Sequence, residues 1–202
     1  MPMYRLLSLL LVCLFLSSCS EILYSPDAYA LARNHRTIAI VPPSVSSSLF
    51  MEEDAASAEF MKREAALNFQ TEMYTHLLKR RLNGKLGVEL LDIETTNAKL
   101  AQAGYPDTLF TTAQLCNALG VEAILTGHFE LTQPHSEEMA IFARFFGIRL
   151  STNEVYGKLS LKDCAYNKLI WTFDRKSRGS LGSTSSKLVK KLMIKASKEL
   201  PY

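Results

Sequence analysis

The chain has 202 residues, 48% of them hydrophobic, which is enough for one globular domain with a substantial core. Its 23 Lys and Arg against 20 Asp and Glu leave a net charge of +3, a surplus too weak to point to nucleic acid. Beyond the first 16 residues, no stretch is long and apolar enough to span a bilayer as a helix.

Residues 1–5 are a short basic start, and residues 6–16 (LLSLLLVCLFL) are an apolar run of eleven. Ser17, Ser18 and Cys19 close it. This is the layout of a secretory signal, and its apolar run falls well short of the roughly 20 residues that a spanning helix needs. Leu16-Ser17-Ser18-Cys19 resembles the lipobox of bacterial lipoproteins, with its leucine, two small residues and then the cysteine. The resemblance implies cleavage before Cys19, a diacylglycerol thioether on its sulfur and an acylated α-amino group. Such an anchor far exceeds the marginal membrane binding of a single chain. The chain then divides into a signal over 1–18, a lipidated tether over 19–36 and a globular domain over 37–202. An extended tether of that length could reach about 50 Å. The alternative is an ordinary signal that leaves Cys19 as a thiol. Ser20, where an Asp would retain the protein in the inner membrane of enteric bacteria, points to the outer membrane. Glu21 leaves its periplasmic and surface faces both open.

Residues 37–41 (TIAIV) are apolar, β-branched and stopped by Pro42-Pro43, which predicts a buried strand. Residues 44–54, rich in serine and acid, read as a loop. A long helix is predicted over 55–82, where Phe60, Leu67, Tyr74 and Leu78 recur at helical spacing. The basic turn Lys79-Arg80-Arg81 suits its C-terminus, and Asn83-Gly84 ends it. Residues 88–91 predict a second short strand. Helices follow over 94–103 and 111–119, ended by Gly104 and Gly120, with Thr111 or Thr112 capping the second. Residues 121–131 (VEAILTGHFEL) predict a strand. After an insert over 131–153, residues 154–163 alternate apolar and polar, and residues 168–177 (KLIWTFDRKS) return as the second arm of a hairpin. A Gly/Ser loop leads into a last helix over 184–200. The order β-α-β-α-α-β-β-β-α predicts an α/β (α+β) fold, one mixed sheet with helices packed on it.

Few residues point to chemistry. Cys116 and Cys164 remain after the signal; the compartment permits a bridge, but nothing in their spacing demands one, and two free thiols are expected. No Cys or His pair stands at ligand spacing, and His35, His76, His128 and His135 are scattered, so no metal and no cofactor is expected. No nucleophile elbow or paired-acid site is present, so the chain does not read as an enzyme. Glu52, Glu53 and Asp54, and Glu137 with Glu138, read as solvated loop acids. GSLGSTSSK over 179–187 lacks the ending of a phosphate loop and reads as a helix cap. The last helix sets Leu188, Val189, Leu192, Met193, Ala196 and Leu200 against Lys187, Lys190, Lys191, Lys195 and Lys198, with Ile194 a misfit. Within the insert, MAIFARFFGIRL over 139–150 is the most apolar stretch after the signal. It fits neither period cleanly. It is either a cover for the core or a membrane or partner contact carried by Ile141, Phe142, Phe145, Phe146 and Ile148.

Three features occur together: IAIVPP over 38–43, Leu-Gly-Val-Glu-Ala-Ile-Leu-Thr-Gly over 119–127, and the hairpin closing through Asp163 and Lys168-Leu169-Ile170-Trp171. In this the chain resembles the anticodon-binding-domain-like lipoproteins of bacterial envelopes over residues 37–200. That group includes the curli secretion channel lipoprotein, the lipoprotein activators of penicillin-binding proteins and the amino-terminal domain of the Tol periplasmic protein. The resemblance implies a non-enzymatic, membrane-anchored adaptor or assembly factor whose partners are envelope proteins or further copies of itself. The other reading is an oligomeric component of an outer-membrane secretion or transport assembly. A β-pore is disfavoured, since a spanning strand needs about 9–11 residues and the insert holds at most one such hairpin.

Overall fold

A mixed sheet organises the chain, and the alternation of its strands decides which helix covers which face. The computed structural model describes residues 21–48 and 54–202; Cys19 and the segment read as a signal lie outside the described residues. In chain order the elements are β1 (Glu21–Tyr24), α1 (Ala28–Ala32), β2 (Thr37–Ile40), β3 (Ser44–Ser47), α2 (Ala55–Leu82), β4 (Glu89–Leu90) and α3 (Ile93–Ala103). There follow α4 (Thr112–Leu119), β5 (Ala123–Thr132), α5 (Glu137–Phe145), β6 (Asn153–Asp163), β7 (Lys168–Gly179) and α6 (Ser185–Ala196). The strand order is β1-β7-β6-β5-β2-β4, with β3 also pairing β5. The β1, β7, β6 and β5 neighbours are antiparallel, whereas β2, β3 and β4 join in parallel.

The mixed sheet with packed helices is the fold expected from the sequence. The run at 37–41 is apolar without a break because it is covered on both faces. Ile38 and Ile40 enter a core built with Phe69, Met73 and Leu77 of α2 and Leu188, Val189, Leu192 and Met193 of α6. Ala39 and Val41 enter a second core with Leu100 of α3 and Leu115 and Leu119 of α4. Asp54 caps α2 by accepting from the backbone of Ala56 and Ser57, and Thr111 forms a reciprocal capping box with Gln114. Gly120 ends α4 at φ 67°, a left-handed turn that glycine takes without strain.

Four expectations need correction. First, the tether does not extend to residue 36. Residues 21–24 pair with β7, from Glu21 opposite Asp174 to Tyr24 opposite Trp171, and α1 buries Ala28 and Ala32. The Tyr24 hydroxyl donates to the Glu199 carbonyl at 2.7 Å, and Lys168 Nζ meets the Asp27 carboxylate at 2.6 Å. The free edge of β7 supplies backbone partners that an apolar-pattern reading does not register. Second, residues 44–47 are a strand, not a loop. Ile40 pairs with Leu125 and Ser44 with His128, so β3 continues β2 along β5 with one extra residue taken up at Val41-Pro42-Pro43. Third, Cys116 and Cys164 are bonded, with Cα atoms 5.7 Å apart. Gly120 turns the chain into β5, which runs beside β6, and this sets α4 over the β6–β7 turn. Fourth, the insert is neither a hairpin nor a cover for the core: it is α5, described below.

The start of β2 is pinned to the other end of the chain. Buried His35 hydrogen-bonds Asp163 through Nε2 at 2.8 Å and the Tyr202 hydroxyl through Nδ1 at 2.7 Å. The other Asp163 oxygen accepts from the Tyr166 backbone at 2.7 Å, so the buried carboxylate is satisfied on both sides.

Candidate interaction surface

The segment 139–150 resolves into a helix because its first turn is well capped. The Ser136 hydroxyl accepts from the Met139 backbone at 3.3 Å, and Glu137 and Glu138 stand in the first turn, where the helix dipole favours acids. Glu137 and Glu138 are therefore helix residues, not loop residues. The last turn carries Arg144, and Gly147 turns the chain away at φ 76°.

The orientation of α5 inverts the usual rule. Only Ala140 is buried; its neighbour Ala143 is half-buried. The large apolar residues point outward: Phe142 is 66% exposed, Phe145 83% and Phe146 68%, with Met139, Ile141 and Ile148 also exposed. Single exposed apolar residues are ordinary, but six within ten positions form a patch of the kind that marks an interface. The rings of Phe142 and Phe146 lie 5.2 Å apart and support each other. All five candidate contact residues named from the sequence are thus on one exposed tip. No helix among the described residues is long and apolar enough to cross a membrane.

The tip sits at one end of the sheet, between β5 and β6. A small cavity of 150 Å³ separates Ala140, Arg144 and Ile148 from Ser180 and Leu181 of the β7–α6 loop. That loop is tied to the start of β6: the Ser151 hydroxyl donates to the Gly179 carbonyl at 3.0 Å and the Asn153 side chain to the Ser183 carbonyl at 2.8 Å. Beneath it, Glu154 binds Lys176 and Arg178, each at 2.7 Å. Burial pushes the Glu154 carboxyl up, but the two cations outweigh it and hold the group below its ordinary range.

The direction of β1 matters most. Its register climbs β7 as the chain is followed backward, from Tyr24 at Trp171 to Glu21 at Asp174. Followed toward its N-terminus, β1 therefore points to the end of the sheet that carries Gly179 and α5. Cys19 is two residues further back, a span of at most about 7 Å.

Elsewhere the polar groups of the described residues pair locally. His128 hydrogen-bonds the Ser44 hydroxyl through Nδ1 at 2.8 Å and the Ser46 hydroxyl through Nε2 at 3.5 Å, an exposed arrangement in which no carboxylate of the described residues orients the ring. Among the described residues, no group of three His, Cys, Asp or Glu side chains is placed to hold a metal ion. Besides β1, α1 and β3, the sequence reading missed two features of the molecule. One is the disulfide. The other is a cluster in which Arg175 joins the α6 lysines, which only the packing of α6 on β7 creates.

No family model and no curated protein matches the chain. Solved structures do. The chain is similar to the PelC dodecamer from Paraburkholderia phytofirmans at 13% identity and TM-score 0.50, over 90% of this chain and 98% of that one. It is similar to lipoprotein GNA1162 from Neisseria meningitidis at 14% identity and TM-score 0.44, over 80% and 94%. It is also similar to the LpoB C-terminal domain from Salmonella enterica at 13% identity and TM-score 0.34, over 73% and 83%. The likeness to the PelC structure, at TM-score 0.50, holds at the level of the fold. At these identities the fold is what is shared, and a fold does not carry a job with it.

Proposed function

We propose that the chain is an envelope lipoprotein anchored in the outer membrane through Cys19. It seats its α5 tip on the bilayer and acts as a non-enzymatic adaptor or assembly factor through protein–protein contacts. One observation carries this reading: β1 directs the chain toward the same end of the sheet that displays the apolar tip. Acyl chains on Cys19 and the side chains of Phe142, Phe145 and Phe146 would then enter one surface together. Each of those rings contributes roughly 1.5–3 kcal/mol when fully removed from water. A second attachment at the end that carries the anchor fixes an orientation that the anchor alone leaves free. Because residues 21–36 belong to the fold, the domain is held against its membrane and meets partners there, not at the end of a long tether.

Intact mass and membrane fractionation of wild type and Cys19→Ala test the anchor; acyl mass on wild type alone is the expected result, and a soluble, unacylated wild type would refute it. A photo-crosslinking amino acid in place of Phe145 tests the seat. It should capture lipid in membranes, and capture of protein only would reassign the tip to a partner.

The second reading is an oligomeric component of a secretion or transport assembly, and the observation in its favour is the fold shared with a dodecamer at TM-score 0.50. Native mass spectrometry of the detergent-extracted protein decides it, since a strict monomer excludes a ring.

A further inference from the structure

We propose that the basic cleft between β7 and α6 binds the phosphodiester headgroup of an anionic lipid, an inference that rests on the membrane-seated reading above. Arg175 stands opposite Gly157, and a side chain at Gly157 would strike Leu192 of α6. Arg175 therefore lies on the face of the sheet that α6 covers. The same packing carries Lys191 and Lys195 to its side, and the three cations line a cleft of 340 Å³ with the exposed side chain of Ile194. That volume suits a small headgroup, at the low end of the roughly 300–1,000 Å³ of small-ligand sites.

The charges are what distinguish this cleft from a solvated lysine face. Lys176 and Arg178, on its border, are both held by Glu154. Arg175, Lys191 and Lys195 form no ion pair with any described residue. Three converging cations without a counter-charge raise the potential of the cleft and attract an anion. The planar guanidinium of Arg175 suits two phosphate oxygens, and the lysines add point charge.

Position selects lipid over other anions. Glu21 pairs with Asp174, one residue from Arg175, so the first described residue of β1 lies beside the cleft, two residues from Cys19 along the chain. With Cys19 acylated and α5 in the acyl boundary, the cleft faces the layer of headgroup phosphates. The apolar stem of Ile194 then lies where a glycerol backbone would rest.

The test uses the full acylated chain in detergent micelles doped with either phosphatidylglycerol or phosphatidylcholine, with retained lipid counted by native mass spectrometry. Wild type is expected to retain phosphatidylglycerol preferentially. Each cation near an anionic surface is worth roughly fivefold in affinity, so Arg175→Gln/Lys191→Gln/Lys195→Gln should weaken retention by roughly 100-fold. Lys191→Arg/Lys195→Arg, which keeps the charge, should preserve it, and circular dichroism confirms that each variant is folded. Equal retention of both lipids by wild type, or an unchanged preference in the triple variant, overturns the proposal. So does binding of inorganic phosphate or poly-glutamate without retention of phosphatidylglycerol, which would assign the cleft to a free anion or to an acidic protein segment. The same spectrum reads the anchor separately. Acyl mass without phosphatidylglycerol means that the cleft inference has failed, whereas phosphatidylglycerol without acyl mass means that the anchor reading has.

Discussion

Gly157 lies where β6 passes under α6 with no space for a side chain. A Cβ there would sit 2.9 Å from Leu192 Cδ1 and 2.9 Å from Phe129 Cε1, and both neighbours are buried. Gly157→Ala should therefore destabilise the fold by about 1–3 kcal/mol through overpacking, seen as a lower urea midpoint at an unchanged slope. An unchanged midpoint would mean that α6 can lift off the sheet at little cost. Glu154 makes a separate prediction. Its folded carboxyl is held below the unfolded value of about 4.3 by Lys176 and Arg178, so its contribution is complete above that pH and is lost as pH falls through the folded value. Glu154→Gln should lower stability at neutral pH and flatten the acid side of the stability curve. Parallel curves for variant and wild type from neutral pH down through the carboxylate range would contradict this.

Among the elements, α4 depends on a covalent tie. The disulfide closes a loop of 48 residues, which by chain entropy corresponds to about 4 kcal/mol. Cys116→Ala/Cys164→Ala should lose up to that amount, and reductant should bring wild type down to a similar midpoint. Wild type that unfolds identically with and without reductant would show the bond to be dispensable. For α5 the expectation is the opposite. Phe142 and Phe145 are so exposed that Phe142→Ser/Phe145→Ser should shift stability by no more than about 0.5 kcal/mol per site while weakening vesicle association. A large loss of stability would show that the tip is part of the core after all. Taken together, the two cases separate elements held by the fold from an element the fold holds out.

At the scale of the whole molecule, one end of the sheet gathers the features that a membrane-seated protein needs: the approach to Cys19, the apolar tip and the cluster of unpaired cations. The opposite end holds the disulfide and the His35, Asp163 and Tyr202 network. If the tip is seated in lipid as proposed, this polarity predicts that partners of an adaptor meet the sides of the molecule. Crosslinkers placed on the exposed face of α2 should capture protein in membranes in which a crosslinker at Phe145 captures lipid, and the reverse pattern would invert the orientation.

Local physics made much of this visible in the residues alone. Thr37–Ile40 had to be a strand because it is short, branched and stopped by prolines, α2 had to be a helix from its spacing and its basic end, and the hairpin of β6 and β7 followed from alternation. The apolar residues of α5 were recognised as a group, since composition alone picks them out. What those patterns could not contain was anything that depends on which elements become neighbours. β1 and β3 are strands only because β7 and β5 offer them backbone partners, and the four residues of β1 are too few for their apolar character to set a period. Cys116 and Cys164 are 48 positions apart and meet only after α4 is turned by Gly120 beside β5. Whether α5 shows its rings to the core or to the outside is decided by Ala140 and Ala143 packing inward, and periodicity cannot say which of two faces is turned in. Arg175 joins Lys191 and Lys195 only through the close approach that Gly157 permits. Periodicity and capping act within a few residues and are written in the sequence, whereas pairing, facing and convergence are properties of distance in space, which only the tertiary structure sets.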